Sequence, residues 1–197
     1  MRLQKILLFI FLICLISCSE QTGNLIRSEP SEQDFFIETY FCPREECMER
    51  ILTLIDSSTE IKCAFFELNL KEMIDALEEK SAEVVIEDQY ALPGFYSGYS
   101  AALMHNKFCV FDNSIVLTGS MNPTERGNYY NNNNIVIVKS RYLAENYLSE
   151  FEELKENEYG KGARVKHPVI YLNGSRLRSV LHRCLEVNRT QIDRAHA

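Results

Sequence analysis

Several features that would announce a common activity are missing from this chain of 197 residues. It has no internal repeat, which excludes solenoids and propellers. It has no glycine-rich loop of the kind that cradles a nucleotide phosphate, and only 8 glycines in all. Its 4 histidines are not grouped with cysteines or with one another at ligand spacing, so no metal constellation is legible. Its longest apolar run, residues 6–16, is too short to cross a bilayer comfortably. Basic charge is scarce as well: 21 Lys+Arg stand against 28 Asp+Glu, a net charge of −7. That balance argues against extended contact with a polyanion, which rests on neutralising phosphates with Lys and Arg.

What charge there is divides unevenly. Residues 19–159 carry 11 Lys+Arg against 26 Asp+Glu, whereas residues 160–197 carry 8 against 2. The basic tail reads either as a solvated helix over residues 175–188 or as an anion-binding segment. His167, His182 and His196 fall in it, outside any motif. Residues 169–174 read as a strand and turn that would open a truncated second domain.

The other end begins with Arg2 and Lys5 followed by the apolar run 6–16, the layout of a signal peptide. The run ends Leu15-Ile16-Ser17-Cys18, which resembles a bacterial lipobox. On that reading residues 1–17 are removed, Cys18 is lipidated, and residues 18–33 form a flexible tether to an exported, membrane-anchored domain. An ordinary secretory signal or an uncleaved anchor is the competing reading.

Between these ends, residues 34–159 are long enough for one domain with a sizeable core. Residues 35–41, 61–68 and 82–87 read as strands. Pro43 opens a predicted helix running to about Asp56, with Met48, Ile51, Leu52 and Ile55 on one face. Asn69 and Glu72 read as a capping box for a second helix, and residues 141–157 as a third. Cys42 and Cys47 are candidates for a local disulfide, with a metal site and two free thiols as the alternatives. Apart from Cys14 and Cys18 five cysteines remain, so a monomer leaves at least one unpaired.

The most informative stretch runs from His105 to Asn122, His-Asn-Lys-Phe-Cys-Val-Phe-Asp-Asn-Ser-Ile-Val-Leu-Thr-Gly-Ser-Met-Asn. Residues 103–111 read as a strand, which places His105, Lys107, Cys109 and Phe111 on one face; Cys109 reads as a small core residue. Asp112-Asn113 suits a hairpin turn, and residues 114–118 return Gly119, Ser120 and Asn122 towards His105. A neutral imidazole beside a cation and neutral donors suits phosphoryl transfer.

The pattern H-x-K-x4-D-x6-G-S-x-N resembles the HKD motif of the phospholipase D superfamily. The β-α-β order upstream widens the resemblance to about residues 35–155. It implies an α/β fold, a mixed sheet flanked by helices with one half-site per chain. It also implies a metal-independent phosphodiesterase working through phosphohistidine, with no cofactor. Catalytic positions would be His105, Lys107 and Asp112, with Lys107, Ser120 and Asn122 holding the phosphate. Asp112 also reads as a purely structural turn residue. Where the family often has a glutamate that orients the histidine, this chain has Asn133, which would do so without charge; a solvated turn is the other reading.

No second H-x-K follows, so a homodimer would be needed to bring two histidines together, unless the chain is half of a two-motif enzyme. The substrate would be nucleic acid or phospholipid. The alternative function is a non-catalytic surface lipoprotein that keeps the fold as a binding module.

Overall fold

The computed structural model describes residues 29–98, 103–159 and 165–179. The signal segment, Cys18 and the proposed helix beyond residue 179 lie outside them.

In chain order the elements are β1 (Ser31–Glu32), β2 (Phe36–Cys42), α1 (Cys47–Ser57), β3 (Ile61–Phe65), α2 (Lys71–Glu79), β4 (Glu83–Glu87) and β5 (Tyr96–Gly98). They are followed by β6 (Lys107–Phe111), β7 (Ile115–Gly119), α3 (Glu125–Tyr129), β8 (Asn133–Lys139), α4 (Arg141–Lys155), β9 (Val169–Leu172) and β10 (Ser175–Arg178). Seven strands form one mixed sheet in the order β2-β8-β7-β6-β3-β4-β5. The βαβ unit β3-α2-β4 is parallel, whereas β6 pairs antiparallel with both β3 and β7.

Alternation along the strands builds two cores, one on each face. Cys109 and Phe111 of β6 join Ile51, Ile55, Met73 and Leu77, the apolar stripes of α1 and α2. Phe108 and Val110 point the other way, against Leu143, Phe151 and Leu154 of α4. The result is an α/β fold with helices on both faces of a mixed sheet. Each fully buried aliphatic or aromatic side chain contributes about 1.5–3 kcal/mol, so the two stripes hold the helices to the sheet.

Several boundaries differ from the sequence reading for identifiable reasons. The tether expected to reach residue 33 ends earlier. Glu32 of β1 accepts hydrogen bonds from the Ser140 hydroxyl and from Arg141 N (2.9 Å), so it clamps the start of α4. Residues 169–178, expected to open a second domain or a helix, instead form the β9–β10 hairpin. It turns at Asn173-Gly174, where both φ angles are positive, and β9 pairs with β1. Ile170 and Leu172 bury themselves in the α4 core, so this segment packs on the domain. Pro43 lies in a turn rather than starting α1, which begins at Cys47. Asn69 does not cap α2; its Oδ1 accepts from Glu125 N (3.1 Å) and ties two loops together.

Among the described residues two disulfides are formed. Cys42–Cys47 joins the end of β2 to α1. Cys63–Cys109 links directly opposed residues of β3 and β6, with Cα atoms 4.1 Å apart. Cys109 is therefore a cross-link and not a free core thiol.

The β7 and β8 backbones approach closely beside the site. A Cβ on Gly119 would stand 2.2 Å from Asn134 O and 2.9 Å from Ile135 Cα, both backbone atoms that cannot yield alone. Gly119→Ala is expected to cost about 1–3 kcal/mol, read as a lower thermal midpoint; an unchanged midpoint would mean that the two strands part freely.

Candidate functional site

The ends of five strands converge on one edge of the sheet. They are the C-terminal ends of β3, β4 and β7 and the N-terminal ends of β6 and β8. His105 lies just before β6, in residues 103–106. These residues were expected to be strand, but their polar groups are engaged elsewhere. Met104 N donates to the buried carboxylate of Glu87 at 2.7 Å. Asn106 O accepts from Phe66 N at 2.8 Å, and the Asn106 amide donates to Glu150 of α4 at 3.2 Å. Held at three points, the segment presents the His105 side chain at the edge of the sheet.

Lys107 Nζ lies 3.0 Å from His105 Nε2 and donates to His105 O at 3.2 Å. The ring of Phe66 meets the imidazole edge-on, with centroids 4.7 Å apart, and Lys107 Nζ sits 5.3 Å from the centre of the same ring. Although His105 is exposed as a residue, partial burial of its ring lowers its pKa from the ordinary 6.5, and the Lys107 charge lowers it further. Both effects disfavour the imidazolium. The imidazole is thereby kept neutral, the form that can act as a nucleophile.

Ser120 sits across the β7–β8 gap, and its hydroxyl is fully engaged. It donates to Asn133 Oδ1 (3.1 Å) and accepts from Asn134 N (3.0 Å). Asn133 Nδ2 donates to Gly127 O (2.8 Å). The expectation that Asn133 orients His105 is therefore corrected: its amide bridges Ser120 and α3. Asn122 presents a different situation. Its Oδ1 is, among the described residues, the buried side-chain acceptor without a hydrogen-bond partner. Its loop is anchored by Pro123 O, which accepts from Asn69 N and Leu70 N (3.0 and 3.2 Å).

Asp112 is likewise corrected as a catalytic candidate. It lies at the opposite end of β6, at φ 46° in the hairpin turn. There its Oδ1 accepts from Thr59 N, Thr59 Oγ1 and Glu60 N, each at 2.9 Å. Five strand residues at about 3.3 Å each separate it from the His105 end. Burial pushes its pKa up, but the donors of Glu60 and Thr59 outweigh this and leave it below the ordinary 3.8.

Two residues that sequence reading missed belong here. Phe66 follows a strand and carried no motif signal. Arg44 lines a cavity of about 590 Å³ together with Phe41, Ser120, Asn132, Asn133 and Asn134. Its place in sequence, beside a proline turn, gives no hint of this. His167 lies elsewhere, paired with Glu145 of α4 (2.9 Å) and edge-on to Tyr142. Among the described residues no cluster of three or more His, Cys, Asp or Glu is arranged to hold a metal.

Two outcomes follow from the electrostatics. Asp112→Asn should lower stability at neutral pH by about 1 kcal/mol. The folded-state pKa is depressed, so that stabilisation is present above 3.8 and lost as pH falls through the lower folded value. Denaturation curves of the two proteins should therefore converge in acid; a constant gap would refute the role. His105, followed by NMR, should titrate below 6.5. Its folded pKa is lowered, so its neutral-form stability is full above 6.5 and is lost as pH falls through the window beneath it. Lys107→Gln should return the titration only part of the way, because the larger cause, burial, remains.

Comparison with known proteins agrees with this geometry. Over 55 residues the chain is 44% identical to the mitochondrial cardiolipin hydrolase of Xenopus tropicalis, covering 28% of this chain and 26% of that protein. It is 23% identical over 134 residues to the phospholipase D of Rickettsia conorii, covering 68% of this chain and 62% of that protein. The chain thus spans less than two thirds of the length of either relative. In fold it resembles Nuc, a phospholipase D family member from Salmonella typhimurium, with a TM-score of 0.57 at 20% identity, covering 66% of this chain and 99% of that one. NucT from Helicobacter pylori gives a TM-score of 0.53 at 16% identity, covering 62% and 97%. Residues 29–155 match the family described as cardiolipin synthase, PLD-like domain. That match takes in more than half of the chain and the whole His105–Asn122 motif, and the chain belongs to the phospholipase D superfamily.

Proposed function

We propose that this protein is a metal-independent phosphodiesterase that works as a homodimer through a phosphohistidine intermediate. The observation that carries this reading is the His105–Lys107 pair: an imidazole held neutral, 3.0 Å from an ammonium, at an open edge of the sheet. With a substrate phosphate in place, the Lys107 ammonium has a better acceptor in the non-bridging oxygens and releases the imidazole lone pair. His105 Nε2 then attacks phosphorus, the P–N bond forms, and the P–O bond to the leaving alcohol breaks. That alcohol takes its proton from a second imidazole, which the negative charge of the bound phosphate holds protonated against burial and Lys107. In the second step the same imidazole removes a proton from water, whose oxygen displaces His105 from phosphorus and leaves a phosphomonoester.

A second imidazole is needed, and among the described residues the only other histidine is His167, engaged with Glu145 and Tyr142. His105 of a second copy meets the requirement, as a two-fold axis would place it. Lys107, with Arg44 on the Ser120 side, supplies positive charge to the phosphate. The Asn122 amide, whose oxygen has no protein partner, is the further candidate to meet a bound group.

Two substrate classes fit, phospholipid and nucleic acid. Phospholipid is favoured by Phe41, 60% exposed on the wall of the Arg44 cavity, where it offers an apolar surface to an acyl chain. It is favoured also by the names of the relatives, a cardiolipin hydrolase and phospholipases D. The leader sequence, through Cys18, supports an exported protein held at a membrane. The second reading, a non-catalytic binding module, draws its support from Asn133, a neutral amide where the resembled family often has a carboxylate.

The test is a phosphodiesterase assay in chelator on a generic diester, on phospholipid vesicles and on single-stranded DNA, with molecular mass measured by light scattering on the same sample. We expect a dimer that hydrolyses the generic diester, with vesicles preferred over DNA. His105→Ala should lower turnover by more than about 10³-fold without shifting the thermal midpoint. Undiminished turnover in that variant would exclude the phosphohistidine route, and an inactive wild-type protein would favour the binding module.

A further inference from the structure

Phe66 is the residue through which the two reactive side chains are held together. It directly follows β3, and its N–H donates to Asn106 O at 2.8 Å, which fixes the backbone between His105 and Lys107. Its ring lies edge-on to the imidazole, with centroids 4.7 Å apart and planes at 63°. The Lys107 ammonium sits 5.3 Å from the centre of the same ring, within reach of its negative face. From behind, Tyr90 buttresses it edge-on at 5.0 Å and 76°. The ring carries no proton to give and no lone pair to use. What it can do is set the rotamer of His105, hold the ammonium beside it, and exclude water from one side of the imidazole.

We propose that Phe66 is a positioning residue, which aligns His105 and Lys107 for work on the phosphate. The inference rests on the phosphodiesterase reading above for its catalytic consequence, but its structural part stands apart from that reading. A nucleophile must stand within a fraction of an ångström of its in-line position, and losses near 10²-fold accompany a misplacement of about 1 Å. His105 projects from an irregular segment with no ladder partner, so its backbone alone does not define the ring plane. Phe66 supplies that definition from the regular sheet. Charged and titratable groups surround the imidazole from other elements too. They are Lys107 on its own segment, Glu87 of β4 through Met104 N, Glu150 of α4 through Asn106, and Tyr90 behind Phe66. The Phe66 variants change none of these residues, so a shift in the titration reports the loss of the ring.

The experiment follows the NMR titration of His105 in the wild-type protein and in Phe66→Leu and Phe66→Tyr, with metal-free kinetics on the same samples. Leu keeps bulk and the fold but removes the ring; Tyr restores the ring. In Phe66→Leu we expect the His105 titration midpoint to rise, because Lys107 is released and water reaches the imidazole. We also expect kcat to fall about tenfold or more with KM little changed, and the acid limb of the rate profile to move up with the titration. Phe66→Tyr should return both to near wild-type. An unchanged His105 titration in Phe66→Leu overturns the inference, whether or not kcat falls, since a fall alone is what a merely structural role would give. A wild-type protein with no diesterase activity would sink the functional reading, while the titration still decides this one.

Discussion

The antiparallel docking of β6 between β3 and β7 is the constraint on which the site depends. It sets Cys109 against Cys63 and Lys107 against Phe65, so Phe66 falls beside the irregular segment that carries His105. On the other side it sets Phe108 against Thr118, which brings Gly119 and Ser120 to the same edge. A slip of one residue in either pairing would turn Lys107 to the α4 face and away from Phe66. The register is secured in several ways: a covalent bond between the paired cysteines, opposite faces of the strand buried in different cores, and Asp112 gathering three donors at the far turn.

The motif therefore divides its labour along one strand. Its histidine and lysine stand at the open end, where the chain leaves the ladder and side chains face open space. Its aspartate stands at the other end and holds the turn that sets the strand's length. A fixed spacing between the lysine and the aspartate is what such an arrangement requires, because the turn and the site are the two ends of one rigid element. The aspartate's place in the pattern thus follows from geometry without any chemical step at Asp112.

Much of this was legible in the sequence. The motif disclosed the hairpin, the pair of His105 and Lys107 and the approach of Gly119, since all three depend on local spacing and strand alternation. The α/β class followed from alternating strand and helix patterns. What escaped was set by distant partners. Cys63 and Cys109 are 46 residues apart and pair only because β6 returns beside β3 rather than beside β4 or β5. Phe66 became a site residue by the same return. Asn69 and Glu32 showed local patterns of a cap and a tether, but their side chains found better partners in Glu125 N and in Ser140 and Arg141. Asn133 was sought beside the histidine on the strength of the family pattern, whereas its two amide ends are satisfied by Ser120 and Gly127.

The Asn133 amide also bears on how a phosphate is received. A carboxylate between Ser120 and Gly127 would accept from the hydroxyl but could not donate to the Gly127 carbonyl. The amide does both, and so locks the β7–β8 edge to α3 without adding negative charge beside Ser120. In a body that carries 11 Lys+Arg against 26 Asp+Glu over residues 19–159, that economy of charge has an effect. Repulsion of an anionic substrate is screened beyond about 10 Å at 0.1 M salt, so the groups within that distance decide whether it binds. Around the Ser120 cavity the chain sets Arg44 beside neutral amides and a hydroxyl, and on the other side it buries the Glu87 carboxylate against Met104 N.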